Sequence, residues 1–123
     1  MSATVLDIEM LAAPKVRRVS AVTQTDEGEA VLDLDPLIGL IVFTLEADNT
    51  GTTVGGDPEP GQTFTLSVRQ GAGGSFAWTP PAGMVFAGSD PGTTATVADH
   101  RDIYTFVYDG EEWNETGRAM DVG

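Results

Sequence analysis

The chain has 123 residues, with 19 acidic and 6 basic side chains, a formal net charge of −13 and no cysteine. So anionic a protein repels phosphate backbones and anionic membrane surfaces, which argues against nucleic-acid and membrane binding. The absence of cysteine excludes disulfides, zinc–thiolate sites and thiol catalysis. The length is that of one domain.

The N-terminal residues give no sign of a targeting segment. The first apolar stretch carries Asp7 and Glu9 and lacks an early basic region, unlike a signal peptide. No apolar run approaches the length of a transmembrane helix. We therefore expect the protein to be made and assembled in the cytoplasm.

Residues 1–18 differ from the rest of the chain, because they combine apolar side chains without strand alternation with half of all the basic residues. Two interpretations stay open: an arm that docks on a neighbouring molecule, or a first strand with its lead-in. The candidate partner-binding residues in this segment are Val5, Leu6, Ile8, Lys15, Arg17 and Arg18.

Alternation of apolar and polar residues predicts the first strands. Leu32 and Leu34 alternate with aspartates, which is typical of a short half-buried strand. The longer apolar run from Leu37 to Leu45 predicts a central strand covered on both faces. The glycine- and proline-rich segment from Asp48 to Gly61 then predicts a long loop.

A second group of strands follows this loop. Phe64, Leu66 and Val68 alternate with Thr and Ser, which predicts another half-buried strand. Turn signals follow at Gly71–Gly74, at Pro80-Pro81 and at Asp90-Pro91-Gly92.

The C-terminal region predicts a β-hairpin. The segment from Asp102 to Tyr108 is dense in aromatic and β-branched residues, and Asp109-Gly110 follows at once, as in a type I′ turn. We expect Trp113 to pack near the aromatic residues of this strand, which are Tyr104, Phe106 and Tyr108.

The predicted fold class is all-β, with one β-sandwich or jelly-roll-like domain of antiparallel strands over residues 19–123 and a short N-terminal arm over residues 1–18. Strand content does not fix strand order, so the topology stays open.

Residues that could carry catalysis are present without a specific arrangement. His100 is the only histidine, and no serine lies in a GxSxG elbow. Carboxylate pairs such as Asp33 with Asp35 are unspecific in a chain with 19 acids. We therefore expect a protein that is not an enzyme.

Binding sites for small ligands are also weakly indicated. Asp48, Asn49 and Asp57 could offer oxygens to calcium, but their spacing does not match an EF-hand, so surface Asx turns are favoured and no metal is expected. Gly71–Gly74 lacks the residues of a phosphate loop, so no cofactor is expected. Four aromatic residues could form a sugar-stacking platform or pack in the core or between subunits, and packing is favoured: Trp78, Tyr104, Tyr108 and Trp113.

The order of segments from about Val22 to Trp113 resembles a recurring virion surface domain of tailed bacteriophages. The shared pattern is a Gly-Gln and an alternating strand, a Gln-Gly-rich turn, a tryptophan strand with prolines, a Thr-rich stretch, an Asp that opens an aromatic strand, and an Asp-Gly before a Trp. The matching segments are Gly61-Gln62, Phe64 to Arg69, Gln70 to Gly74, Trp78-Thr79-Pro80, Thr93 to Val97, Asp102 to Tyr108, and Asp109-Gly110 with Trp113.

The resemblance implies a β-sandwich or jelly roll that assembles as a trimer in head decoration proteins, head fibres, or tail fibre and minor tail proteins. A compact domain with a short arm favours a decoration (cement) protein on the outer capsid surface, with the major capsid protein as partner. The alternatives are a tail fibre or minor tail component and a glycan-binding adhesion module.

Overall fold

The computed structural model describes residues 18–123, and nearly all of its regular structure is β-strand. A single short 3-10 turn in this range spans Ala87–Ser89, and no helix there has the length and apolar character needed to cross a membrane. The strands are β1 Arg18–Gln24, β2 Gly28–Asp33, β3 Ile38–Leu45, β4 Asn49–Gly55, β5 Thr63–Gln70, β6 Met84–Val85, β7 Arg101–Tyr108 and β8 Trp113–Val122.

The first five strands wind as a coil between two sheets. A curled six-stranded main sheet has the order β1-β3-β5-β7-β8-β6, and a small sheet pairs β2 with β4. Each connection carries the chain into the other sheet, so strands that return to the same sheet run in the same direction. β1, β3 and β5 are therefore parallel neighbours, as are β2 and β4. The prediction of a purely antiparallel fold is wrong for this half.

The second half is antiparallel except for the short β6, which pairs in parallel with β8. β5 pairs with β7, and β7 pairs with β8 through a hairpin at Asp109-Gly110, as predicted. The prediction of a type I′ turn is wrong. Residues 109–112 form a four-residue connection in which Gly110 has positive φ and Asp109 does not. Side-chain hydrogen bonds of Asp109 organise this longer turn instead of a two-residue backbone geometry.

The prediction of a loop from Asp48 to Gly61 is wrong for the first half of this segment, which β4 occupies. This strand is rich in Gly, Thr and Asn, which have little apolar signal, and it forms because β2 offers a parallel partner in the small sheet. Tertiary pairing therefore overrides local composition here.

One hydrophobic core lies between the inner face of the main sheet and the small sheet. The alternation predicted for β5 is confirmed, since Phe64, Leu66 and Val68 are buried. Ile41, Phe43 and Leu45 of β3 join them, and Leu32 of β2 belongs to the same cluster. The other face of β3 is only partly covered, so the expectation of a strand buried on both faces is wrong.

Buried amide side chains satisfy backbone groups where the coil turns from one sheet to the other. Gln62 donates to the carbonyl oxygens of Asp35 and Ile38 at 2.8 and 3.1 Å. Gln70 donates to the carbonyl of Phe76 and accepts from its N–H. Such groups would otherwise be costly, because a buried backbone donor or acceptor without a partner destabilises the fold.

Asn49 makes the densest of these contacts. Its Nδ2 donates to the side chain of Gln24 and to the carbonyl of Gly51, while its Oδ1 accepts from the hydroxyl of Thr52 and from the N–H of Thr79. One amide therefore connects β1, β4 and the segment after β5.

We predict that Asn49→Ala lowers the free energy of unfolding by about 2–4 kcal/mol, because four buried or part-buried hydrogen bonds of its side chain are lost. Thr50→Ala is the matched control, since Thr50 is the exposed neighbour on the same strand and should change stability by less than about 0.5 kcal/mol. Urea denaturation measures both variants. Equal stability of the two would contradict the structural role given to Asn49.

Candidate interaction surface

The outer face of the main sheet, turned away from the core, lacks carboxylates. We define this outer face as the odd-numbered residues of β1, β5 and β7, together with residues 40–44 of β3 that alternate with Ile41 and Phe43. These four strands contain a single acidic residue, Asp102, which points inward and is fully buried. Since the chain carries a net charge of −13, its carboxylates are concentrated elsewhere.

Aliphatic and hydroxyl side chains form the middle of the outer face. Leu40, Val42, Ile103 and Val107 are partly exposed, and threonines lie between them. Val19 on the edge strand is 65% exposed. This composition is that of a surface that tolerates water but gains from being covered.

A shallow depression of about 280 Å³ opens at the end of the outer face where β1 begins. Its wall includes Arg18, Val19, Leu40 and Thr65. The Arg18 guanidinium stands beside it and pairs with Asp35 at 2.5 Å. The depression therefore combines apolar and threonine walls with an arginine–aspartate pair at its rim.

The opposite end of the outer face also carries basic residues. Arg69 and Arg101 are cross-strand partners there. Arg69 pairs with the exposed carboxylate of Asp99 at 2.8 Å. The hydroxyl oxygen of Ser67 and the Nε of Arg69 are buried without a hydrogen-bond partner. Both therefore retain unused hydrogen-bonding capacity on this face.

The described acidic residues lie on the remainder of the molecule. Most of them occupy the small sheet, the connections between strands and the C-terminal hairpin turn, for example Glu29, Asp33, Asp57 and Glu112. In the main sheet, Asp102 is buried in β7, and Glu115 and Asp121 lie in β8, outside the outer face as defined. Charge is thus segregated between an acid-free sheet face and an acidic remainder. The sequence already contains part of this signal, because the segments 18–24, 38–45 and 63–70 contain no acidic residue.

The four predicted aromatic residues come together on the inner side of the sheet. Trp78 and Tyr104 have ring centroids 5.7 Å apart, and Tyr108 and Trp113 are 4.9 Å apart. Trp78, Tyr104 and Trp113 are buried, and Tyr108 is half-buried. A sugar-stacking platform requires exposed ring faces, which the two tryptophans do not offer.

One small opening remains beside this aromatic group. A cavity of about 190 Å³ is lined by Tyr108, Trp113, Glu111 and glycines that include Gly56 and Gly83. Trp113 is only 2% exposed, so its ring packs mainly in the core and gives the cavity little surface.

The hairpin turn holds a carboxylate with a lowered pKa. The Asp109 side chain accepts hydrogen bonds from the backbone N–H groups of Glu112 and Glu111, and from the side-chain amide of Asn114. These bonds favour the charged form, so the pKa of Asp109 lies below its ordinary value. The turn geometry explains this shift without any catalytic role.

His100 pairs with an acidic residue, Asp121. Its Nδ1 lies 2.7 Å from an oxygen of Asp121 near the C-terminal end of β8. The nearby carboxylate of Asp102 accepts from the backbone N–H groups of Ala95 and Asp121. These contacts fasten the segment before β7 and the end of β8 to the sheet.

The ion pair between Arg118 and Glu115, both in β8, is also structural. Arg118 donates to both oxygens of Glu115, which holds the pKa of Glu115 below and that of Arg118 above their ordinary values. The guanidinium also lies over the ring of Tyr104 at 5.7 Å, and burial raises the pKa of that phenol well above its usual range.

The residues considered for calcium are not arranged as ligands. Asn49 is buried and bonded to protein groups, and Asp48 accepts a hydrogen bond from the N–H of Ala77. Across residues 18–123, no cluster of three or more carboxylate or imidazole side chains is placed to hold a metal ion.

Most of the predicted arm lies outside the described residues. Val5, Leu6, Ile8, Lys15 and Arg17 belong to that part of the chain. Arg18 is described, and it opens β1 at the edge of the main sheet.

Comparison with known proteins gives no relative. No protein-family model, no curated protein and no solved structure matches this chain.

We predict that the hairpin turn contributes stability above the ordinary aspartate pKa and loses it as pH falls through the lower pKa of folded Asp109. A depressed folded pKa means that the unfolded chain takes up the proton first, so acid favours unfolding. NMR titration of the Asp109 carboxyl should give a midpoint below 3.8. In urea unfolding at a series of pH values, Asp109→Asn should reduce the fall in unfolding free energy at acid pH. Glu111→Gln in the same turn should leave this fall unchanged. A midpoint at or above 3.8 would contradict this account.

Proposed function

We propose that the chain is a structural protein of a tailed-phage particle, a decoration protein that binds the major capsid protein on the outer surface of the head. The observation that carries the proposal is the charge segregation between the acid-free outer face of the main sheet and the acidic remainder of the molecule. A protein that coats a particle needs one adhesive side and one side that keeps particles apart.

The physical role in this proposal is additive. Each copy buries surface across neighbouring capsid subunits and stabilises the assembled state by mass action. Many copies on one shell multiply this effect, even when each contact is weak. The proposal includes a β-sandwich or jelly-roll-like classification of the domain and a trimeric assembly, both of which come from the resemblance to virion surface domains.

The N-terminal segment takes part in this proposal as an arm. Lys15, Arg17 and Arg18 contact acidic capsid surface, while Val5, Leu6 and Ile8 fill an apolar groove of the capsid. Arg18, the first described residue, opens β1 beside the depression on the outer face.

The interior of the domain supports a role without catalysis. Buried polar side chains such as Gln70 and Asp102 are fully engaged in holding backbone segments together. The pKa shifts of Asp109 and Glu115 follow from turn and ion-pair geometry. These arrangements stabilise a rigid unit.

A tail fibre or minor tail role shares these features and differs in location, whereas a glycan-binding role lacks exposed tryptophan rings at Trp78 and Trp113. Copy number separates head from tail, because capsid proteins occur in hundreds of copies and tail-tip proteins in a few.

We predict that quantitative mass spectrometry of purified particles of the encoding phage finds the chain in a number comparable to that of the major capsid protein. A handful of copies per particle would move the protein to the tail. Its absence from purified particles would refute the virion role.

We also predict that deletion of residues 1–17 abolishes binding to particles lacking the protein while leaving the thermal unfolding midpoint within a few degrees. β1 stays intact in this variant, because it begins at Arg18. Light scattering on both forms reports whether the full chain is a trimer. Unchanged occupancy of the truncated chain on particles would remove the arm from the proposal.

A further inference from the structure

We propose that the outer face of β1, β3, β5 and β7 is itself a docking surface, and that it fits a protein surface with an apolar centre and carboxylates near its basic ends. This inference rests on the proposed function, in which that partner is a capsid subunit. It adds to the arm a second contact made by the folded domain.

The chemistry of the outer face selects such a partner. Val42 and Ile103 lie near the middle of the outer face, with Ser67 between them in the cross-strand register. Covering these two side chains with apolar groups lowers the free energy by removing them from water. Arg101 lies at one end and Arg18 at the other. Basic groups around an apolar centre favour a partner with acidic groups at its rim, because complementary charge steers and orients association.

Two unpaired polar atoms on the same face do not add to this argument. The Ser67 hydroxyl is withdrawn from solvent and has no partner, and the Nε of Arg69 is in the same state. Both atoms lie beneath the neighbouring side chains, so they are a local cost of the fold and leave the docking argument to the apolar middle and the arginines of the face.

The dimensions of the outer face argue against a second copy of this chain as the occupant. Four strands spaced by about 4.8 Å, each about 23 Å long, give roughly 400 Å² of sheet. Two such faces together would bury about 800 Å², which is less than the roughly 1,200 Å² of a stable interface.

The same area explains why the contact suits a particle. A weak single contact becomes stable when the arm and many copies act together on one shell. Docking by this face also turns the small sheet, with Glu29 and Asp33, toward solvent. The bound protein then presents an acidic exterior.

Single-cysteine variants test the proposal cleanly, because the chain has no cysteine of its own. Val19→Cys places a thiol on the outer face, and Val31→Cys places one on the small sheet as a matched control. The two valines are 65% and 55% exposed and both lie in strands. The measurement is the rate of maleimide labelling, free and after binding to particles of the encoding phage that lack the protein.

We expect the labelling rate of the Val19→Cys variant to fall at least tenfold on particles, and that of the Val31→Cys variant to change less than twofold. Equal protection of both, or protection of Val31→Cys alone, would overturn the docking surface while the observed binding upheld the proposed function. Failure of the wild-type chain to bind particles would overturn the proposed function and this inference with it.

The free protein distinguishes the other occupants. If labelling of the Val19→Cys variant is already slow in solution and deletion of residues 1–17 restores it, the chain's own N-terminal segment covers the face. If dilution restores it, a second copy covers the face. Either result would overturn a capsid subunit as the occupant.

A charge variant tests the partner chemistry. We expect Arg101→Glu to weaken particle binding at least tenfold at low salt, with a smaller loss at high salt, since screening reduces the effect of an exposed charge. Thr53→Glu on the small sheet is the control, and it should bind like the wild type. An Arg101→Glu variant that binds at least as tightly as the wild type would refute an acidic partner rim.

Discussion

The coil of β1 to β5 depends on a polar constraint inside its corners. At several connections between the two sheets, backbone N–H and carbonyl groups need partners that buried amide side chains supply, as where Gln62 donates to the carbonyls of Asp35 and Ile38. Asn49 and Gln70 meet this need because an amide offers donors and an acceptor at once. The hydrophobic cluster can pack between the two sheets only if the polar groups at these connections have hydrogen-bond partners. The buried amide side chains are therefore needed for the core to form.

The outer face follows from the same winding. Parallel return of β1, β3 and β5 to one sheet places their apolar side chains on the inside and their threonines and smaller aliphatic residues on the outside. Because neighbouring strands are in register, residues of one kind accumulate on one face. A continuous acid-free surface therefore arises from strand composition and topology together, and neither alone would produce it.

The sequence predicted elements better than their arrangement. Alternation identified the buried side of β5, and Asp109-Gly110 identified the hairpin, since both signals are local. The strand β4 was missed because its Gly, Thr and Asn residues have no apolar period, and its stability comes from pairing with β2. Parallel order was missed because the direction of a strand depends on which sheet receives the previous one. The docking face was missed for a related reason, since an acid-free face exists only once four separate strands are adjacent.

The edge of the main sheet adds a physical argument about association. Within the described residues, β1 pairs only with β3, and from Val19 to Gln24 it carries no charge. Soluble β-proteins usually protect such an edge with charged residues or bulges, because an open edge invites pairing with other chains. Here the protection is limited to Arg18 and the register shift beside it, while the acidic residues lie on the remainder of the molecule. A chain with 19 acids has ample means to guard this side. Of the described acids, Asp35 pairs with Arg18 at the start of this edge and none lies within β1, so backbone pairing along Val19 to Gln24 is opposed by no charge of the strand itself.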